Sequence, residues 1–303
     1  MKVNRIRQNV LPLITAMIWG TAFVAQSVGA DYMGAFTFNA ARAAIAFVFL
    51  LGLLGLRIFV QKRRGAAQPI GTRRDLLLGG LCCGTALTVA SYLQQKGLET
   101  TSSGKAGFIT ALYIVLVPII GRILGRRVPQ AVWLSVVLAV AGLYCLCITE
   151  DFSITRGDFY VLACAFCFSV QIMTVDHFGN RVDGVALSCV QFLVMTVLSS
   201  LGVAGEVPPD PALAAVWLLP VLYVGVFSSG VAYTLQILAQ KDSDPAVVSL
   251  LMSLESVFAT IAGALILGDR MNGREYFGCG LMLAAVVLAQ LPEPRRTQSG
   301  RAA

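Results

Sequence analysis

"LLMSLESVFATIAGALILG", residues 250–268, is an apolar run interrupted by one ionisable side chain, Glu255. As a helix rising 1.5 Å per residue it spans about 28 Å, close to the roughly 30 Å of a bilayer's hydrocarbon core. Insertion scales make a carboxylate at that depth about 2.5–3.5 kcal/mol unfavourable, so Glu255 calls for either a function or a partner.

Comparable runs fill the chain, at 10–28, 34–56, 76–97, 105–125, 131–149, 157–176, 184–205, 212–239, 246–268 and 275–290. Of the 303 residues 57% are hydrophobic and 13% charged, against about 25% charged in a soluble domain. The mean hydropathy is +0.77. The connections, such as "GADYM", "GLETTSSG" and "EVPPDP", are short and polar, which leaves no soluble domain to house separate chemistry. The expectation is an all-α integral membrane protein with ten transmembrane helices. The N-terminal run, broken by Trp19 and Gly20, reads as the first of them and not as a cleaved leader.

The net charge of +7 is distributed for topology and not for nucleic acid. Basic residues gather on alternate connections, at Arg5 and Arg7, from Arg57 to Arg74, at Arg122, Arg126 and Arg127, and at Arg295, Arg296 and Arg301. The positive-inside rule then places both termini in the cytoplasm of a plasma-membrane protein. The basic loop at 57–75 is also suited to anionic lipid head groups. The eight cysteines, with pairs such as Cys164 and Cys167, lie in apolar helices without a companion set of His or Asp, so no metal and no cofactor is expected.

The two halves resemble each other. Gly84, Tyr92 and Gln95 return as Gly225, Tyr233 and Gln236 at an offset of 141, and Leu112 and Gly121 return as Leu254 and Gly263 at 142. The segment around Arg42 aligns with "SCVQFLVMTV" at 149, which places Gln191 opposite Arg42. Five helices per copy is an odd number, so the second copy enters the membrane from the other side. The expected architecture is two inverted five-helix repeats, residues 1–149 and 150–291, with a basic tail at 292–303. Secondary carriers are built this way, with a site near the midplane.

Three motifs point to one family. "AMIWGTAFV" at 16–24, "TFNAARAAIAF" around Arg42 and "SLESVFATIAGALILGDRM" at 253–271 together make the chain resemble the EamA-type members of the drug/metabolite transporter superfamily, over residues 10 to 291. That resemblance implies a ten-helix carrier of small molecules, often an exporter, working without ATP. Ser256, Asp269 and Ala35 depart from the family pattern; the prolines usual at the first and third of these positions are missing, and with them two places where a helix would kink.

Glu255 lies about nine residues into its helix and Arg42 about eight into its own, from opposite sides, so both approach the midplane, either facing one cavity or pairing directly. Glu255 is the candidate for binding a proton or a cationic group, with hydrogen bonding inside the bundle as the alternative. Arg42 is either a structural partner or a fixed charge. Tyr92 with Gln95, its mirror Tyr233 with Gln236, Asn39 with Arg42, and Gln191 are the polar faces expected to line the cavity. Trp19, deep within the first span, and Gln171 in the sixth complete the candidates, with Gln26 beside them. Gly80/Gly84 and Gly121/Gly125 have the GxxxG spacing of close helix packing.

The reading is a secondary active transporter, an exporter of small metabolites or drugs by alternating access with a proton-coupled variant, whose partners are a small-molecule substrate and lipid, with a homodimer left open. An uncoupled facilitator or exchanger is the alternative. Receptor or assembly-factor roles give no reason for mirrored polar faces. No helix carries the paired groups of an intramembrane enzyme.

Overall fold

In lipid every backbone N–H and C=O must be satisfied within its own segment, and a chain this apolar accordingly folds as helices. The computed structural model describes residues 9–63, 71–101, 103–147, 155–241, 243–262 and 272–290, with no strand among them. The first half contains α1 (Leu11–Tyr32), α2 (Ala35–Arg63), α3 (Arg73–Leu98), α4 (Ser103–Ala111), α5 (Tyr113–Ile123) and α6 (Gln130–Cys147). The second contains α7 (Arg156–Gly179), α8 (Gly184–Val203), α9 (Ala214–Tyr223), α10 (Tyr233–Gln240), α11 (Pro245–Met252), α12 (Glu255–Ala262) and α13 (Gly273–Ala289). Among the described residues eight segments are long and apolar enough to cross a membrane; α6 adds a shorter apolar helix, and α13 has 17 residues.

Three of the expected spans are broken, each for a local reason. α4 and α5 meet at Leu112, where the main chain tightens: Leu112 N donates to Ile109 O at 3.2 Å. α11 and α12 meet at Ser253 and Leu254, where Leu254 N donates to Leu251 O at 3.3 Å and the Ser253 hydroxyl donates to Leu250 O at 2.8 Å. A hydroxyl that takes a carbonyl three residues back competes with the helical ladder. Between α9 and α10, residues 224–232 form a π-helical stretch following Pro220, whose missing N–H loosens the ladder. α2 also runs seven residues past the expected end at 56, into the basic segment.

The two halves pack across one another. α3 lies on α7 and α8, α2 on α8, α6 on α13, and α1 against α12 and the π stretch. Two glycine contacts mirror each other across the halves. A Cβ at Gly84 would stand 2.7 Å from Gln191 O, and one at Gly225 would stand 3.2 Å from Arg42 O. Gly84 and Gly225 are repeat equivalents, as are Gln191 and Arg42. Gly80 likewise abuts Val190, whereas Gly125 has φ +82° and ends α5 as a left-handed turn with nothing packed on it, so the Gly121/Gly125 pair is a helix stop and not a packing motif.

The two ends of the bundle are tied differently. At the basic end Arg57 pairs with Asp183 at 2.7 Å, Arg181 with Asp75 at 3.9 Å, and Arg126 with Asp176. At the other end the Glu206 carboxylate accepts from Phe36 N and Thr37 N at 2.9 and 2.8 Å, capping α2 from another segment.

Candidate functional site

α1 presents Trp19, Phe23 and Gln26 on one face to a cavity at the centre of the bundle. Gly20, beside Trp19, lets α1 touch the α11–α12 break: a Cβ there would lie 2.5 Å from Glu255 O. Glu255 is buried on the opposite wall, at the first residue after that break. Its Oε1 accepts a hydrogen bond from the Tyr113 hydroxyl at 3.2 Å. Tyr113 in turn is the first residue after the break between α4 and α5.

Arg42 enters the cavity from α2, 2% exposed. Its Nε donates to Asn39 Oδ1 at 2.8 Å and its guanidinium to Gln26 Oε1 at 3.3 Å, with the Phe38 ring 6.0 Å away. Arg42 and Glu255 therefore face one cavity without pairing, each held by neutral partners. Direct pairing, one of the two arrangements their depths allow, is not the one adopted.

Tyr233 and Gln236 line the cavity from α10 and Gln171 from α7. The Gln236 amide donates to Gln171 Oε1 at 3.1 Å, and Trp19 donates to Ser228 O in the π stretch at 3.3 Å while its ring meets that of Tyr233 at 4.8 Å. Gln171 Nε2 and Gln236 Oε1 are buried without a protein partner, an arrangement that carries a penalty of about 1–3 kcal/mol per group unless a bound molecule meets it. The space offers about 30 Å³ to the centres of water-sized spheres, enough for about two waters.

Four expected members stand outside the cavity wall. Asn39 is buried behind Arg42 as its hydrogen-bond partner, and Gln95 donates to Gln26 O at 3.0 Å. Tyr92 stacks on Phe36, ring centres 4.2 Å apart, near the start of α2. Gln191 is buried beneath Gly84 with both amide atoms unpartnered. Tyr92 and Tyr233 are thus equivalent in sequence and different in place, because α3 is one continuous helix while α10 emerges from a π stretch.

Tyr113, Thr110, Gln94, Phe23, Phe168 and Ser228 line the cavity without having been singled out from sequence. The repeat held the signal for three of them. Tyr113 and Glu255 are related by the same offset of 142 as Leu112 and Leu254, and an offset of 145 relates Phe23 to Phe168 and Gln26 to Gln171.

The EamA-like transporter family matches the chain twice, over residues 8–148 and 155–291. The chain belongs to that family. It is 30% identical over 293 residues to an uncharacterised transporter of Archaeoglobus fulgidus, covering 95% of this chain and 87% of that one. It is 28% identical over 230 residues to the threonine/homoserine exporter RhtA of Salmonella typhimurium, covering 75% and 74%, and 22% identical to the inner membrane transporter YedA of Escherichia coli, covering 95% and 93%. A crystal structure at 19% identity matches with a TM-score of 0.75 over 93% of this chain and 96% of its own, a likeness of fold. This EamA-like chain is a multi-pass membrane transporter of the drug/metabolite transporter superfamily.

Proposed function

We propose that this EamA-like transporter is a secondary exporter of small zwitterionic metabolites of amino-acid type, working by alternating access with Glu255 as its proton-coupling group. Two inverted five-helix repeats, residues 1–149 and 150–291, rock about the central cavity, with both termini and the tail 292–303 in the cytoplasm of the plasma membrane. The observation that carries the reading is the pair of unpaired opposite charges. Arg42 offers a guanidinium to a carboxylate and Glu255 offers a carboxylate to an ammonium group or a proton, on one cavity, between two broken helices. The similarity to RhtA, an exporter of threonine and homoserine, adds to it. A cavity with room for about two waters must widen before such a solute enters, as alternating access requires.

The test is reconstitution in liposomes with an internal pH indicator, presenting amino acids, nucleobases and organic cations to wild type and Glu255→Gln. Proton movement evoked by amino acids in wild type and absent from folded Glu255→Gln supports the reading. Equal amino-acid flux in both without a pH change makes the protein an uncoupled facilitator and Glu255 a packing residue.

A further inference from the structure

Tyr113 and Glu255 touch, and they are the same position in the two repeats. Both follow a helix break directly, and the breaks correspond in detail. Leu112 N to Ile109 O and Leu254 N to Leu251 O are bonds between equivalent atoms, as are Leu116 N to Leu112 O and Phe258 N to Leu254 O. Residues exchanged by a two-fold axis lie at equal distances from it. With their side-chain tips 3.2 Å apart, the axis relating the two inverted repeats proposed above would pass between them.

If the two halves proposed above exchange conformations as the carrier turns from one side to the other, most contacts between them change. The contact of 113 with 255 is exchanged for the contact of 255 with 113, which is itself. In such an exchanged state Glu255 would stand in the surroundings that Tyr113 has now, and Tyr113 in those of Glu255. A pair that works in both states is a pair that works in both orders. The ionisable groups facing it are Arg42 from α2 and Tyr233 from α10, with Cys164 packed behind from α7.

We propose that Tyr113 and Glu255 form a single axial site in which Tyr113 is the positioning residue of the carboxylate, and that the site functions with the carboxylate on either broken helix. The inference rests on the coupling role given to Glu255 above.

The experiment is an exchange of the two side chains, Tyr113→Glu with Glu255→Tyr, read in two ways. Infrared difference spectra of the purified protein against Glu255→Gln isolate the carboxyl band of residue 255, whether or not the protein transports anything. Tyr113→Phe should shift that band by removing its donor, and the exchanged double variant should return a band at the wild-type position. In liposomes loaded with an equimolar mixture of radiolabelled L-amino acids, Tyr113→Phe should lower proton-coupled efflux by about 10- to 100-fold, the scale of one hydrogen bond to a charged group. Each single exchange, Tyr113→Glu or Glu255→Tyr, should be inactive, and the double exchange should recover at least about tenfold over either.

A double exchange that neither restores the band nor exceeds the single variants overturns the inference. Should the exchanged protein fail to fold, Tyr113→Phe and Glu255→Gln decide it. Acting as one unit, their effects on the proton-to-solute ratio do not add, whereas additive effects overturn the axial site. Wild-type efflux without proton movement would instead defeat the coupling role, leaving the infrared result to judge the pair.

Discussion

Gly20→Ala is the substitution whose effect can be worked most directly from the structure. The added Cβ would lie 2.5 Å from Glu255 O, 2.7 Å from Phe258 Cβ and 2.8 Å from Ala259 N. None of these atoms can rotate aside, so α1 and α12 must separate by about 1 Å to restore contact distances near 3.5–4.0 Å. Overpacking of this kind costs about 1–3 kcal/mol, and the absence of a yielding neighbour puts the figure in the upper half. Replacing glycine in a helix gives back about 0.5–1 kcal/mol, for a net loss of about 1–2.5 kcal/mol. Gly52→Ala is the control, since nothing lies within 4 Å of its added Cβ. In a thermal-shift series in one detergent, Gly20→Ala should unfold a few degrees below wild type and Gly52→Ala at or above it. The displaced backbone is that of Glu255 itself, so proton-coupled efflux by Gly20→Ala should fall further than its folded fraction. A Gly20→Ala protein as stable and as active as Gly52→Ala would refute the close approach of α1 to the α12 break.

Gly84→Ala and Gly225→Ala, the mirrored glycines, should each lower the thermal midpoint, because the added Cβ would lie 2.7 Å from Gln191 O and Val194 Cβ at the first and 2.7 and 2.8 Å from Ile45 at the second; a midpoint unchanged in either would contradict the packing. Glu206→Ala removes both acceptors at the N-terminus of α2 and should destabilise by about 0.5–2 kcal/mol, seen as earlier amide exchange in residues 35–38. Trp19→Phe keeps the ring on Tyr233 but loses the bond to Ser228 O; solute affinity, measured by isothermal titration with the amino acid that is transported, should weaken by less than about tenfold.

How much of this was legible in sequence depended on which physical rule set each feature. Apolar run length fixed the helices, because a span has little choice but to be helical in lipid. The depth of Arg42 and Glu255 brought them to one level but left a shared cavity and a direct pair both open, and side-chain packing decided between them. The breaks were not legible: Leu112 and Leu254 are good helix residues, and what interrupts the ladder is tight main-chain bonding reinforced by the Ser253 hydroxyl. Nor was the fate of Tyr92, whose helix face depends on the missing π stretch in α3. Sequence periodicity assumes 3.6 residues per turn throughout, and a π stretch rotates every later side chain off that count.

The repeat also separates what the scaffold requires from what the solute requires. Positions that fix the approach of helices are alike in the halves: Gly84 and Gly225 each meet a main-chain carbonyl, and Leu112 and Leu254 each carry the same tight bonds. Among the positions that reach the cavity, Phe23 with Phe168 and Gln26 with Gln171 are alike, whereas the charged ones differ from their repeat equivalents, with Arg42 against Gln191 and Glu255 against Tyr113. A two-fold scaffold lined by identical residues would present matched charges to both ends of a solute and would favour a symmetric ligand. With the cation on α2 and the acid on α12, the wall has a direction, in which one end of a zwitterion of the kind proposed would be distinguished from the other.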